Sequence, residues 1–186
     1  MSKHQRLLLL SCFLLFPTMV SAQECLSSMP VTTAHMVGND NGTVTDPKTG
    51  LVWKRCSEGQ SWNGSTCDGT TSTYTWQAAL QRVQAVNTTL QTGTENQDFT
   101  DWRLPNIKEL QSLIERKCYG PAINITNFPN TPAGANEQPP WYWSSTPVAN
   151  ATQAWAVSSY DGNSYLPKNF SDKTDSNYVR LVRGGH

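Results

Sequence analysis

Four cysteines behind an apolar N-terminal segment constrain this chain more than any other feature. The segment carries Lys3 and Arg6, followed by a largely apolar run from Leu7 to Phe16. The residues Val20-Ser21-Ala22 predict cleavage after position 22, as in a secretory signal peptide, and a single mature domain of residues 23–186. A membrane-spanning helix needs about 20 apolar residues, so this run is too short for an anchor.

Cleavage removes one cysteine and leaves four, which are Cys25, Cys56, Cys67 and Cys118. An even number in an exported chain predicts two disulfides, with three possible pairings. Cys56 and Cys67 are close in sequence and flank turn-forming residues, so we expect them to pair and to leave Cys25 for Cys118. The alternative is a zinc site, but the sequence has no CxxC word and few histidines, so no metal is predicted.

The charge balance restricts the possible partners. The chain contains 14 Lys and Arg against 14 Asp and Glu, and loss of Lys3 and Arg6 gives the mature chain a net charge of −2. Nucleic-acid-binding domains usually carry a basic stripe, so no nucleic-acid partner is predicted. Charged residues make up only 15%, whereas tryptophans number 7. This composition is typical of a compact, loop-rich secreted domain.

Apolar spacing predicts a strand pair and two helices in the first part of the mature chain. Residues 44–54 fit two strands joined by a proline- and glycine-containing turn. Apolar residues at helical spacing predict a first helix over 76–90. A second helix is predicted from 106 to near 118, where Asn106 and Glu109 form a capping box.

The second part of the chain predicts a long loop and further strands. Residues 121–140 are rich in proline and asparagine, which favours an irregular loop. Strands are expected at 141–145, 154–158 and 178–183, with a turn at Asp161-Gly162. The order of elements predicts an α+β fold in which two helices pack on an antiparallel sheet with long loops.

Several ordered sequence words resemble a known bacterial family, the C-terminal domain of the Legionella collagen-like adhesin (Lcl). The words are Thr43-Val44-Thr45-Asp46, Thr49-Gly50-Leu51-Val52-Trp53, Trp102-Arg103-Leu104-Pro105, Lys108-Glu109-Leu110, Trp141 to Ser145, Ala154-Trp155-Ala156-Val157, and Val179 to Gly185. The resemblance implies a C-type-lectin-like fold, with a more distant similarity to formylglycine-generating enzymes. It also implies a sulfated polysaccharide as ligand, whereas the chain has no dense Lys/Arg cluster to attract one.

Residues for catalysis are sparse. A nucleophile triad needs a positioned base, and the mature histidines are His35, near the N-terminus, and His186 at the end. Glu109 and Asp161 fit a helix cap and a turn better than an acid–base pair. We therefore predict no enzymatic activity, no catalytic residues and no cofactor.

The arginines in the family words and the acidic residues near the C-terminus also favour structural roles over ligand binding. Arg103, Arg180 and Arg183 are expected to fix loops, with Glu109 as a partner for Arg103. Calcium could bind an oxygen-rich stretch, but without ordered ligand spacing we expect a solvated loop. The stretch comprises Asp161, Asn163, Asp172 and Asp175.

Tryptophans give the clearest indication of function. Sugar-binding sites favour aromatic rings beside polar side chains. Trp62 in the disulfide loop, together with Trp141 and Tyr142 after the long loop, forms the predicted ligand site. The remaining tryptophans of the family words and helix are expected in the core, and they are Trp53, Trp76, Trp102 and Trp155.

These observations predict an exported, non-enzymatic recognition domain that binds a glycan or another surface polymer in adhesion. The alternative is a structural or interaction module of a bacterial envelope or pilus assembly without a small ligand. Either protein would act in the periplasm, at the cell surface or outside the cell.

Overall fold

The computed structural model describes residues 23–91, 99–134, 138–161 and 170–184. The predicted signal segment, residues 1–22, lies outside these ranges. Within the ranges that are described, no helix is both long and apolar enough to cross a lipid bilayer.

The helices are α1 (Trp76–Gln91) and α2 (Ile107–Ser112). The strands are, in chain order, β1 (Glu24–Cys25), β2 (Val37–Gly38), β3 (Thr43–Asp46), β4 (Leu51–Lys54), β5 (Ser61–Trp62), β6 (Cys67–Asp68), β7 (Thr73–Tyr74), β8 (Cys118–Tyr119), β9 (Trp141–Pro147), β10 (Gln153–Ser158), β11 (Phe170–Asp172), β12 (Asn177–Tyr178) and β13 (Val182–Gly184). The predicted α+β composition with two helices is confirmed.

One sheet is built around the predicted strand pair, in the order β13-β4-β3-β2. Val44 of β3 lies opposite Trp53 of β4 in an antiparallel register. In the turn between these strands, Asp46 Oδ1 accepts the Lys48 N–H at 2.9 Å, and Gly50 adopts φ 70°. Glycine accepts a positive φ without steric cost, so this sequence allows the chain to reverse here.

The other large sheet has the order β11-β10-β9-β12-β7. Tyr142 opposite Val157 faces one apolar core, and Trp143 opposite Ala156 faces the other, so the sheet separates the two. β12 pairs with β9 in parallel, at Tyr178. The sequence predicts an antiparallel sheet, and this parallel pair is an exception to that prediction. β12 lies beside β9 on the side away from β10, and its chain runs in the same direction as β9.

Both predicted helices are present, but the second is shorter than expected. Thr75 lies just ahead of α1, and its Oγ1 accepts the N–H of Ala78 in the first turn at 3.3 Å. The predicted capping box of α2 is also present. α2 ends at Ser112 rather than near Cys118, because the Glu115 N–H turns away and donates to Ala122 O at 3.0 Å.

The predicted strand 178–183 is divided between the two large sheets. Residues 179–181 cross from β12 to β13, and two of their carbonyls accept hydrogen bonds from other parts of the chain. Val179 O accepts the Glu58 N–H at 2.9 Å, and Leu181 O accepts the Lys54 N–H at 3.0 Å. These long-range bonds replace the regular strand that the apolar alternation predicted.

The tryptophans expected in the core fall into two groups. Trp53 and Trp102 are 0% and 2% exposed, as expected. Trp76 and Trp155 are only partly buried, and Trp76 still packs against the second core, so the expectation is wrong for Trp155. Trp76 begins a helix, and Trp155 packs edge-on against Phe170 of the neighbouring strand at 6.3 Å between ring centroids.

Both expected disulfides, Cys56–Cys67 and Cys25–Cys118, are present. The second fixes the strap, our name for residues 23–37, to β8. Buried Glu115 reinforces that attachment, because its carboxylate accepts the Thr33 N–H at 3.2 Å and the Thr33 hydroxyl at 2.9 Å. The strap therefore closes over the chain that follows α2.

Candidate ligand-binding groove

A small hairpin of β5 and β6 lies inside the Cys56–Cys67 loop. Asn63 closes it, since its side-chain oxygen accepts the N–H groups of Ser65 at 2.9 Å and Thr66 at 2.8 Å. Such side-chain-to-backbone bonds are typical of asparagine in turns. The hairpin and the disulfide together give the loop that carries Trp62 a defined shape.

Trp62 is partly exposed and held by three contacts. The Arg55 guanidinium lies 4.3 Å from the centroid of the indole ring. The indole N–H donates to Asp40 O at 2.9 Å. Gly42 packs so closely that a Cβ there would lie 2.8 Å from Trp62 Cβ. The ring is therefore positioned before any ligand arrives.

Trp62 lines an open groove of about 670 Å³, which we call the Trp62 groove. Its other walls are polar and are contributed by Asp40, Asn41, Gly42, Lys54, Cys56, Glu58, Gly59, Gln60, Ser61 and Arg82. Glu58 is 3% exposed, and its two carboxylate oxygens bind Lys54 Nζ at 3.1 Å and Arg82 Nε at 2.7 Å. This set of side chains can offer a flat ring, hydrogen-bond donors and acceptors to a polar ligand.

The long loop supports one side of this groove through Asn130. Asn130 Nδ2 donates to Cys67 O at 2.8 Å, and Gln60 Nε2 donates to Asn130 O at 3.3 Å. The two loops expected to share a face do meet, through Asn130. Asn130 has φ 52°, a left-handed conformation that asparagine adopts more readily than most residues.

The other two predicted ligand residues lie elsewhere. The described residues that line the Trp62 groove include neither Trp141 nor Tyr142. Tyr142 is 4% exposed, and its hydroxyl shares a hydrogen bond of 2.6 Å with Ser57 Oγ. Burial raises the pKa of Tyr142, although the nearby Arg180 cation acts in the opposite direction. Trp141 is partly buried against the second core.

The arginines of the family words make structural contacts. Arg103 binds both oxygens of Glu109 at 2.7 Å, as the sequence predicts. Arg183 Nε donates to Asp101 Oδ1 at 2.6 Å. Arg180 is 1% exposed, and its partners are oxygens of the chain itself. These contacts fix loops and strand ends around the cores.

The acidic stretch considered for calcium falls partly outside the described residues, which exclude Asn163. Asp172 Oδ1 accepts Gln153 Nε2 at 2.9 Å, and Asp175 Oδ2 accepts the Asp172 N–H at 3.0 Å. Across the described part of the chain, no group of three or more metal-ligating His, Cys, Asp or Glu side chains is found.

Sequence reasoning missed the paired charges of the groove. Glu58 and Arg82 are far apart in sequence, and no local motif connects them. Gln60 was also missed, because only the fold brings the long loop against its side chain. Gly59, in the polar disulfide loop, is a local sequence sign of close backbone packing beside the groove. A Cβ at this position would lie 2.6 Å from Ser72 N.

Comparison with known families finds one matching model. The family model described as the Lcl C-terminal domain matches residues 42–183. The chain belongs to the Lcl C-terminal domain family. This membership and the two disulfides indicate an exported, adhesin-like extracellular domain. Most of the groove lies within the Lcl match, whereas the strap precedes it. No curated protein and no solved structure matched the chain.

Proposed function

We propose that this protein is an exported, non-enzymatic recognition domain that binds a glycan or another surface polymer through the Trp62 groove. The single observation that carries the proposal is the fixed position of a partly exposed indole inside a polar groove. A side chain that is already ordered loses little entropy on binding. Of the three aromatic residues suggested by the sequence, the proposal keeps only Trp62.

We further propose a lectin-like fold and a single mature domain for this protein. Two helices, small sheets, long loops and two disulfides support a C-type-lectin-like arrangement in which loops carry the ligand site. Residues 1–22 would be the signal peptide, and residues 23–186 would act as one domain. Such an exported domain would act in the periplasm, at the cell surface or outside the cell.

The direct test is Trp62→Ala, with Trp155→Ala as its matched control. Both indoles are partly exposed, but Trp155 packs against Phe170 on β11, away from the groove. We expect Trp62→Ala to reduce binding to glycan-array hits by about tenfold or more, which is about 1–3 kcal/mol for a stacked ring. Trp155→Ala should leave binding unchanged. Equal binding by Trp62→Ala and the wild type would refute the groove assignment.

A second candidate, the envelope interaction module, is favoured by one observation. Large exposed apolar side chains lie along the strap and the segment beneath it, and they are Leu26, Met29, Val31, Val37, Tyr119 and Ile125. Exposed apolar side chains that form a contiguous patch often mark protein interaction sites. The double variant Leu26→Ser, Val31→Ser should then release the protein from envelope fractions without changing glycan binding.

A further inference from the structure

Two Asn-Gly pairs lie beside Trp62 in the structure. Asn41 and Gly42 line the Trp62 groove, and Asn63 and Gly64 form the tip of the β5–β6 hairpin, which carries Trp62. In such a pair the backbone nitrogen of the glycine can attack the side-chain carbonyl carbon of the asparagine, because glycine has no Cβ to obstruct a close approach. The fold decides which of the two pairs can reach this geometry.

The Asn63-Gly64 pair has room to react. Both residues are exposed. Gly64 adopts φ 96°, and a Cβ there would meet nothing within 4 Å. The main chain of this turn can therefore move as ring closure requires, without displacing other parts of the protein.

The hydrogen bonds of Asn63 also favour the reaction. Its Oδ1 accepts the Ser65 N–H at 2.9 Å and the Thr66 N–H at 2.8 Å. Both donors lie just beyond Gly64, so they keep the side-chain carbonyl folded back toward the residues that follow it. Attack by the Gly64 nitrogen places a negative charge on Oδ1, and backbone donors stabilise such a charge as they do in an oxyanion hole.

The Asn41-Gly42 pair is held more tightly. Gly42 is buried, and its carbonyl accepts the Arg55 N–H at 3.0 Å. A Cβ at Gly42 would lie 2.8 Å from Trp62 Cβ. Ring closure at Asn41 would therefore have to displace the packed backbone beside Trp62.

We propose that Asn63 is a site of spontaneous deamidation that alters the hairpin carrying Trp62. The Gly64 nitrogen forms a bond to Asn63 Cγ, and its proton passes to hydroxide from the solvent. The bond from Cγ to Nδ2 breaks as Nδ2 takes a proton from water and leaves as ammonia. Water then opens the resulting succinimide to aspartate or isoaspartate.

Either product changes the contacts that close the hairpin. Asn63 Nδ2 donates to Asp68 Oδ2 at 2.6 Å, and this bond is lost when the amide becomes a carboxylate. Two carboxylates then face each other and repel. Isoaspartate also adds one carbon to the main chain within the turn. The reaction thus gives an ageing-dependent change beside the Trp62 groove, whatever ligand the groove binds.

The test incubates the exported protein at mildly alkaline pH in water labelled with heavy oxygen, followed by peptide mapping with mass spectrometry. Opening of the succinimide incorporates the label, which separates deamidation during the experiment from earlier deamidation. In the folded protein Asn63 should react at least about tenfold faster than Asn41, because hydrogen bonds to a developing charge are worth at least that factor in rate. In urea the two rates should become similar. Equal rates in the folded protein, or a faster reaction at Asn41, would overturn the proposal.

Two variants test the effect on the hairpin. Asn63→Asp reproduces one product and should shift the Trp62 indole N–H signal in NMR spectra. The double variant Asn63→Asp, Asp68→Asn exchanges donor and acceptor across the same contact and should return that signal toward its wild-type position. Urea unfolding curves provide the control for folding. An unchanged Trp62 signal in Asn63→Asp, or an equal shift in the double variant, would overturn the structural consequence of deamidation.

Discussion

At the scale of single residues, the buried guanidinium of Arg180 connects the most distant parts of the chain. It donates to Lys54 O at 3.0 Å, to Arg55 O, to Ser57 Oγ at 3.1 Å and to Thr131 Oγ1 at 2.8 Å. Burial lowers the pKa of Arg180, with Tyr142 opposing the change, but a guanidinium remains protonated in proteins. The cation thus joins the segment before the disulfide loop to the long loop.

Replacement of this residue should be strongly destabilising. We expect Arg180→Met to lower the free energy of unfolding by at least about 3 kcal/mol, because several buried acceptors lose their donor at once. The control is Arg183→Met, whose partner Asp101 is exposed, and its cost should stay below about 1 kcal/mol. Urea unfolding gives both values, and similar small losses would contradict a central role for Arg180.

Residue pairs close in sequence could be predicted, and distant ones could not. The Arg103–Glu109 pair follows from a local motif, because Glu109 also belongs to the cap of the helix that starts after Asn106. The Glu58–Arg82 pair forms only when α1 packs beside the disulfide loop. Tyr142 is predicted as a ligand residue because it follows the proline-rich loop, whereas its burial depends on Ser57 and Arg180, which only the fold brings to it.

At the scale of elements, α2 illustrates how one carboxylate serves two purposes. Glu109 caps the helix through the Asn106 N–H at 2.7 Å and also binds Arg103. Partial burial alone would raise the pKa of Glu109, but hydrogen bonds from Arg103 and Asn106 outweigh burial and lower it. The ionised form is therefore favoured in the folded state.

This lowered pKa predicts a specific acid sensitivity. The stabilisation by Glu109 is complete above its ordinary pKa of 4.5 and is lost as pH falls through the lower folded-state value. Glu109→Gln should therefore be less stable than the wild type near neutral pH, with the difference shrinking below that pKa. Asn106→Ala, the control, should cost about 0.5–2 kcal/mol without that pH dependence. A constant Glu109→Gln deficit in urea unfolding down to acid pH would contradict this account.

Element boundaries show where sequence reasoning reaches its limit. The β3–β4 pair and α1 follow from local apolar spacing and turn residues, and the structure contains both. The end of α2 and the division between β12 and β13 depend on bonds to distant residues. An apolar alternation cannot show that the carbonyl oxygens of Val179 and Leu181 will accept N–H groups from a different segment.

At the scale of the whole molecule, the strap and its disulfide close a long loop. Cys25 and Cys118 are 93 residues apart, whereas Cys56 and Cys67 are 11 apart. Chain-entropy arguments predict a larger stabilisation for the longer closure. The strap also brings the Thr33 backbone and hydroxyl to the buried Glu115 carboxylate.

Removal of this closure should therefore destabilise the protein more than removal of the short loop. We expect the double variant Cys25→Ala, Cys118→Ala to lose about 5 kcal/mol and Cys56→Ala, Cys67→Ala to lose about 3 kcal/mol from loop entropy. Urea unfolding of both double variants under non-reducing conditions provides the comparison. A loss below about 1 kcal/mol for the Cys25–Cys118 pair would mean that the strap contributes little.

The central claim is that the Trp62 groove binds a saccharide. The most direct measurement is a titration of the isotopically labelled protein with the saccharides that bind on a glycan array, observed through the indole N–H signals in NMR spectra. We predict that the Trp62 signal shifts with ligand concentration, while the signals of Trp141 and Trp155 stay in place. Shifts at Trp141 or Trp155 with an unchanged Trp62 signal would contradict the account.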